Sequence, residues 1–222
     1  MQRPDLILFD VNETLSDLAP MAGHLEAVGA PGHLAKPWFA SVLRDGIALA
    51  AVGATAPFAD IAAATLRGLL ATTQTPDGLD RAVEQVMEGF THLAVHPDIA
   101  PGVEALGDAG VRLVTLSNGA ASVAEGLLGR AGLAERFERF LSVEDAGIWK
   151  PAAGAYAYGL TESGVTADSA MLVAVHPWDI DGAGRAGLHT AWLNRDGATW
   201  PGHFRGPDVE IATLPALADE LG

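Results

Sequence analysis

The chain has 222 residues, enough for one large domain or for a domain that carries an inserted partner. Its formal net charge of −15 argues against nucleic acid or an anionic membrane as partner, because both need basic surface; it does not disfavour a small anionic ligand held by local cations. Cysteine is absent, which excludes a disulfide framework and thiolate chemistry, and no apolar stretch approaches the roughly 20 residues that span a bilayer.

Residues 1–10 lack the long apolar core and cleavage site of a signal peptide, so a cytoplasmic protein is expected. Within them, Leu6-Ile7-Leu8-Phe9 reads as a buried strand that ends abruptly in Asp10. From about residue 17 to 96 the pattern is helical. Met21, Leu25 and Val28 share one face, as do Leu79, Val83, Val86, Phe90 and Leu93. Two further helices are expected at about 36–51 and 57–73, with Pro31-Gly32, Pro57 and Thr75-Pro76-Asp77-Gly78 as punctuation.

Strands then return. Val111 to Leu116 is a second apolar run, closed by Ser117-Asn118-Gly119, and a helix is expected at 120–131. Phe140-Leu141-Ser142 is a short strand candidate, followed by a helix at 153–163. Ala170 to Val175 is a third buried strand, closed by His176-Pro177-Trp178-Asp179. A helix at about 180–187, a strand at 190–193 and a helix at 214–221 complete the alternation. This order predicts an α/β fold with a doubly wound parallel sheet. Residues 1–16 and 97–222 would form the core, and 17–96 a helical cap inserted after the first strand. There is no internal repeat.

Three strands therefore end in polar residues: Asp10 to Thr14, Thr115 to Gly119, and His176 to Asp179. A parallel sheet brings such ends to one edge, which is where open α/β sheets build their sites. A fourth polar element, Trp149-Lys150-Pro151, follows the weak strand at 140–142. Asp10 is a candidate nucleophile. Asn12, two residues on, cannot hand a proton to a leaving group, which favours chemistry whose leaving group needs none. His92 and His96 have the i, i+4 spacing of a metal-binding helix, but the adjacent Asp98 lies past Pro97, and a solvated or packed pair is the better reading. Asp181 fits the first turn of a helix. Trp38 and Trp178 are candidates either for a substrate pocket or for core packing.

The segments FDVNETL, TLSNG, WKP and HPWDIDGAGRAG, in this order, resemble the four motifs of the haloacid dehalogenase superfamily, and within it the 2-haloacid dehalogenases. The resemblance covers essentially the whole chain. It implies that the Asp10 carboxylate displaces halide from a short 2-haloalkanoate and forms an ester, which water then hydrolyses to a 2-hydroxy acid. Halide leaves as a stable anion, so no general acid is needed. The resemblance further implies that Thr14 and Ser117 orient Asp10 and help to bind the substrate carboxylate. It makes Asn118 and, from the cap, Arg44 the receivers of the halide. Lys150 would keep Asp10 ionised, and Tyr156 would lie in the site.

The fourth motif departs from the best-known dehalogenase pattern, where a Ser and an Asn stand in place of Ala174 and His176. His176 is expected either to activate the hydrolytic water, oriented by Asp179, or to donate a hydrogen bond to substrate or halide, and Asp179 itself is the other candidate to activate that water. A tighter halide pocket that admits fluoride is one possible consequence. Related phosphatases carry acids where this chain has Asn12 and Val175, so no catalytic metal and no cofactor are expected. The family implies a homodimer and a preference for L-substrates. Two rivals remain open: a phosphatase of the same superfamily with an unusual motif, and a non-catalytic binding protein that retained the fold.

Overall fold

The computed structural model describes residues 3–221. Strand β1 (Leu6–Phe9) is followed by four helices: α1 (Met21–Ala27), α2 (Ala35–Ala51), α3 (Phe58–Leu70) and α4 (Leu79–Thr91). The alternation then runs α5 (Ile99–Asp108), β2 (Arg112–Ser117), α6 (Ala121–Arg130), β3 (Arg139–Ser142), α7 (Val143–Ala146), α8 (Ala153–Ser163) and β4 (Ala170–Ala174). It closes with α9 (Pro177–Arg185), β5 (His189–Leu193), β6 (Val209–Ile211) and α10 (Leu214–Leu221).

The six strands form one parallel sheet in the order β3-β2-β1-β4-β5-β6. The apolar runs make this arrangement possible. Successive residues of a strand point to opposite faces, and a central parallel strand is covered on both. Leu6 and Leu8 of β1 pack toward α8 and the helices that follow β1. Ile7 and Phe9 pack toward α5, α6 and α10 on the other face. Both faces of β1 are thus buried, and its C-terminal end is the place where a polar residue can reach solvent.

Several elements differ from the sequence expectation. Helix α5 forms despite Pro101, which interrupts the helical pattern in the sequence, because that proline sits in the first turn, where no helical N–H is lost. Helix α9 begins at Pro177 rather than about 180, with the proline at its first position. Strand β6 has three residues, too few to show a period, and α7 has four.

The helices after β1 close down on the sheet edge through an aromatic seam. Phe58 stacks on Trp149 at 5.8 Å, and Trp149 Nε1 donates to the Ala56 carbonyl at 3.1 Å. Gly46 of α2 lies so close to this indole that a Cβ there would stand 2.2 Å from the ring. Gly46→Ala should therefore overpack the seam and lower stability by about 1–3 kcal/mol. The corresponding fall in Tm, several degrees for a chain of this size, is measurable by calorimetry. An unchanged Tm would mean that α2 is not pressed against Trp149. Among the described residues, no helix is long and apolar enough to cross a membrane.

Candidate active site

The strand ends of β1, β2 and β4 meet at one edge, and the loop between α7 and α8 reaches across them. Asp10 continues the pairing of β1, its N–H donating to the Val173 carbonyl at 3.1 Å. Its carboxylate is almost wholly buried and each oxygen has its own donor. Thr14 Oγ1 donates to Oδ2 at 2.6 Å, and Lys150 Nζ to Oδ1 at 2.9 Å. Thr14 is itself fixed, because its hydroxyl accepts from the Val175 N–H at 3.0 Å.

Lys150 is fully buried and bridges two carboxylates: Nζ also donates to Asp179 Oδ2 at 2.6 Å. The other Asp179 oxygen accepts from Tyr156 OH at 2.6 Å. Asp10, Lys150, Asp179 and Tyr156 thus form one continuous buried network. Burial pushes the Asp10 carboxyl up, but the Lys150 ammonium, His176 and the Thr14 hydroxyl outweigh it and hold the group below its ordinary value. For Asp179, burial wins and the carboxyl is raised. Burial also works against the Lys150 ammonium, yet the two carboxylates raise it above an ordinary lysine. Burial beside Asp179 lifts Tyr156 well above a free phenol, so it stays a donor.

Ser117 and Asn118 are buried beside this network. Ser117 Oγ accepts from the Gly119 N–H at 2.9 Å, which leaves its hydroxyl hydrogen available. The Asn118 amide pairs with the backbone of Lys150, accepting from its N–H at 2.9 Å and donating to its carbonyl at 3.4 Å. Asn118 therefore fastens the Lys150 loop with one amide hydrogen and retains a second for a ligand. The two flanking residues His176 and Trp178 stack with ring centroids 5.1 Å apart, and Phe39 of α2 stacks on the same imidazole at 6.3 Å. With Phe58, Phe39 builds an aromatic roof at the sheet edge.

Two expectations need correction. Arg44 does not join the cluster. Helix α2 buries Trp38, Phe39, Val42 and Gly46, and a residue two positions past Val42 points the other way, roughly 200° round the helix. The Arg44 side chain is 69% exposed and paired with Asp45. Asp179 does not orient His176, because both of its oxygens are taken by Lys150 and Tyr156. The imidazole Nε2 instead contacts the Asn12 carbonyl at 3.2 Å, and His176 makes no side-chain cap to α9. Trp38 packs inside the helical layer, its N–H donating to the Ala62 carbonyl. His92 and His96 bond separately to backbone carbonyls, so they form no shared site.

Two residues to which no sequence motif gives a role, Glu13 and Arg195, complete the turn after Asp10. Glu13 is the one non-glycine residue with positive φ, +62°, among the described residues. Its carbonyl accepts from His96 Nε2 at 3.1 Å and from Arg195 at 3.4 Å, while Arg195 also bonds the Thr14 carbonyl at 2.9 Å and Asp98 at 3.0 Å. Arg195 thereby holds the turn that carries Asn12, Glu13 and Thr14. No local pattern reveals a contact across 181 residues. A cleft of about 740 Å³ opens beside this turn, lined by Glu13, Lys36, Val175, His176, Trp192 and Arg195 among others.

The donor set does not suit a divalent cation at Asp10. The Lys150 ammonium already sits between the Asp10 and Asp179 carboxylates, where a metal would bridge them, and Asn12 and Val175 add no acid.

Comparison with known proteins agrees with this geometry. The family of haloacid dehalogenase-like hydrolases matches residues 4–187. The chain is similar to haloacetate dehalogenase H-2 of Moraxella sp. (strain B), 29% identical over 60% of this chain and 59% of that protein, so that alignment spans under two thirds of the relative's length. It is similar throughout to (S)-2-haloacid dehalogenase H-109 of Pseudomonas putida, 25% identical over 100% of this chain and 99% of that one. Among solved structures, a dehalogenase with an intermediate complex superposes with a TM-score of 0.92 at 25% identity, covering 100% of this chain and 98% of the other. The chain belongs to the haloacid dehalogenase-like hydrolases, in their 2-haloacid dehalogenase group.

Proposed function

We propose that the protein hydrolyses short 2-haloalkanoic acids to 2-hydroxy acids through an Asp10 ester, without a metal ion. The observation that carries this reading is a buried, ionised Asp10 paired with Lys150, with Asn12 where a proton donor would otherwise stand. A carboxylate of this kind is a nucleophile for a centre whose leaving group departs as a stable anion.

Asp10 Oδ1 attacks C2 in line, opposite the carbon–halogen bond. The bond breaks with its electron pair on the halide, which meets the remaining amide hydrogen of Asn118 and the aromatic roof. The Ser117 hydroxyl and the edge of Lys150 hold the substrate carboxylate. In-line attack inverts C2, and the (S)-2-haloacid relatives point to (S)-substrates where the carbon is chiral. Water then adds to the carboxyl carbon of Asp10. Oδ2 gains negative charge within reach of Thr14, and His176 Nε2 lies 3.8 Å from it. The proposal extends to fluoroacetate, because the stacked Phe39, His176 and Trp178 rings crowd the halide end.

The test is halide release from chloroacetate, fluoroacetate and both enantiomers of 2-chloropropionate, with EDTA present. Chloride release that EDTA does not touch supports the reading. Release only with added Mg²⁺, or none from any substrate, sinks it. Undetectable fluoride alongside rapid chloride removes fluoroacetate alone.

The first step also has a defined pH dependence. Lys150, Thr14 and His176 hold Asp10 below its ordinary value, so the nucleophile stays ionised as pH falls. The single-turnover rate of halide release should stay flat down to about pH 5, since an ordinary aspartate titrates near 3.9. A decline that begins near neutrality would show that a group other than Asp10 limits the attack.

A further inference from the structure

We propose that Arg195 is a positioning residue for the attack on substrate: from the end of β5 it sets the Asp10 carboxylate through Thr14. The assignment rests on the dehalogenase reading above.

Strand β5 is separated from β1 by β4. Its C-terminal end nevertheless supplies supports on both sides of Thr14. The Trp192 indole N–H donates to the Val175 carbonyl at 2.9 Å, and the Val175 N–H donates to the Thr14 hydroxyl at 3.0 Å. Arg195 reaches past β4 to the turn itself. Its guanidinium forks over two successive carbonyls, donating to Thr14 at 2.9 Å and to Glu13 at 3.4 Å, while Nε donates to Asp98 at 3.0 Å. The second Asp98 oxygen accepts from the Leu214 N–H at 2.9 Å, so the starts of α5 and α10 anchor the fork at its base.

Four successive carbonyls, from Asn12 to Leu15, accept from donors outside the turn. Asn12 accepts from His176, Glu13 from His96 and Arg195, Thr14 from Arg195, and Leu15 from the His96 N–H. Glu13 stands among them with a left-handed φ of +62°, which a glutamate keeps only where its surroundings hold it. A planar guanidinium can serve two carbonyls and a carboxylate at once, whereas an ammonium has no such fork.

The consequence for the chemistry lies in one proton. Thr14 Oγ1 accepts from Val175, so its single hydrogen is directed to Asp10 Oδ2, 2.6 Å away. That bond fixes the plane of the carboxylate and leaves Oδ1 to attack. If the turn relaxes, the hydroxyl moves, the carboxylate swings, and the alignment of Oδ1, C2 and halide is lost. Misplacement by about 1 Å costs an oriented displacement roughly a hundredfold. Lys150 and His176 also face Asp10, and Asp179 faces it across Lys150; among the described residues, none of the three bonds to Arg195.

Arg195→Met and Arg195→Lys test this in single turnovers with chloroacetate. Arg195→Met should lower the rate constant of chloride release about a hundredfold. Half-saturation should stay near the wild-type concentration, because Ser117, Asn118 and Lys150 are untouched. The acid limb of that rate constant should move to higher pH, since the Thr14 hydroxyl no longer steadies the ionised Asp10. Arg195→Lys should recover part of the rate. In Thr14→Val, which already lacks the hydroxyl, either Arg195 substitution should add little further loss. A purely structural arginine would change the amplitude of release with the folded fraction and leave the rate constant and acid limb in place, which would overturn the assignment. Additive losses in the double variants would overturn it too. So would a higher half-saturation at unchanged rate constant, which would make Arg195 a substrate contact. If Arg195→Met does not fold, Arg195→Lys alone and with Thr14→Val decides by the same criteria. Absence of chloride release from the wild-type protein would instead overturn the dehalogenase reading itself.

Discussion

Asp10→Asn is expected to abolish halide release, by at least about a thousandfold, while leaving the fold intact. The substitution keeps the volume and the acceptor for Lys150 but removes the negative charge that attacks. Asp10 lies at the end of β1, with a donor on each oxygen and an ammonium that keeps it ionised. No other carboxylate can replace it. Asp179 lies in the same network but is fully buried behind Lys150 and Tyr156, and Glu13 faces His176 from the cleft side. Stopped-flow halide detection at saturating chloroacetate measures the loss directly. A companion experiment follows the oxygen. A single turnover of the wild-type protein in ¹⁸O water should place the label in Asp10 and leave the first product unlabelled. Label found directly in the product, with none in Asp10, would mean that water attacks C2 itself. Residual turnover of Asp10→Asn above a hundredth of wild type would carry the same message.

Much of this site was legible in the sequence, for a physical reason. A parallel sheet buried on both faces needs continuous apolar strands, and such strands announce where they stop. Asp10, Ser117 and His176 each follow or close one of those runs, so their meeting at one edge follows from topology. Lys150 was visible through its motif, although the weak strand before it gave little support. Arg44 was misplaced because the expectation fixed the right helix and left its phase open. The buried stripe of Trp38, Phe39, Val42 and Gly46 turns it to solvent. Glu13 and Arg195 were hidden for different reasons. A left-handed backbone is not encoded in the identity of a glutamate, and the hold of Arg195 on the Thr14 carbonyl arises only after the whole sheet is assembled. The same limit applies to the imidazole of His176, whose partner is a backbone carbonyl rather than the acid three residues along its own helix.

Lys150→Met should cost both function and stability, and the pH dependence of the loss identifies its cause. Among the described residues, the ammonium is the one cation that touches the Asp10 and Asp179 carboxylates together, and all three groups are buried. Removing one partner of such an arrangement leaves uncompensated charge in a dry environment, which costs about 3–5 kcal/mol. Methionine fills most of the volume, so cavity formation contributes little. In the intact protein, Lys150 holds Asp10 down while burial raises Asp179. Without the ammonium, both carboxyls lose their strongest partner against burial, and both are expected to move up, with His176 and Thr14 still acting on Asp10 and Tyr156 on Asp179. A group raised in the folded state contributes stability below its unfolded pKa and loses it as pH rises through the folded one. The deficit relative to wild type should therefore be smaller at pH 5 than at pH 8, as read from urea midpoints at the two values. A deficit independent of pH would assign the loss to packing instead of charge. Halide release should fall in parallel at neutral pH, because a protonated Asp10 cannot attack. Activity that survives while stability collapses would separate the ammonium from the chemistry and leave it a structural strut between two strand ends.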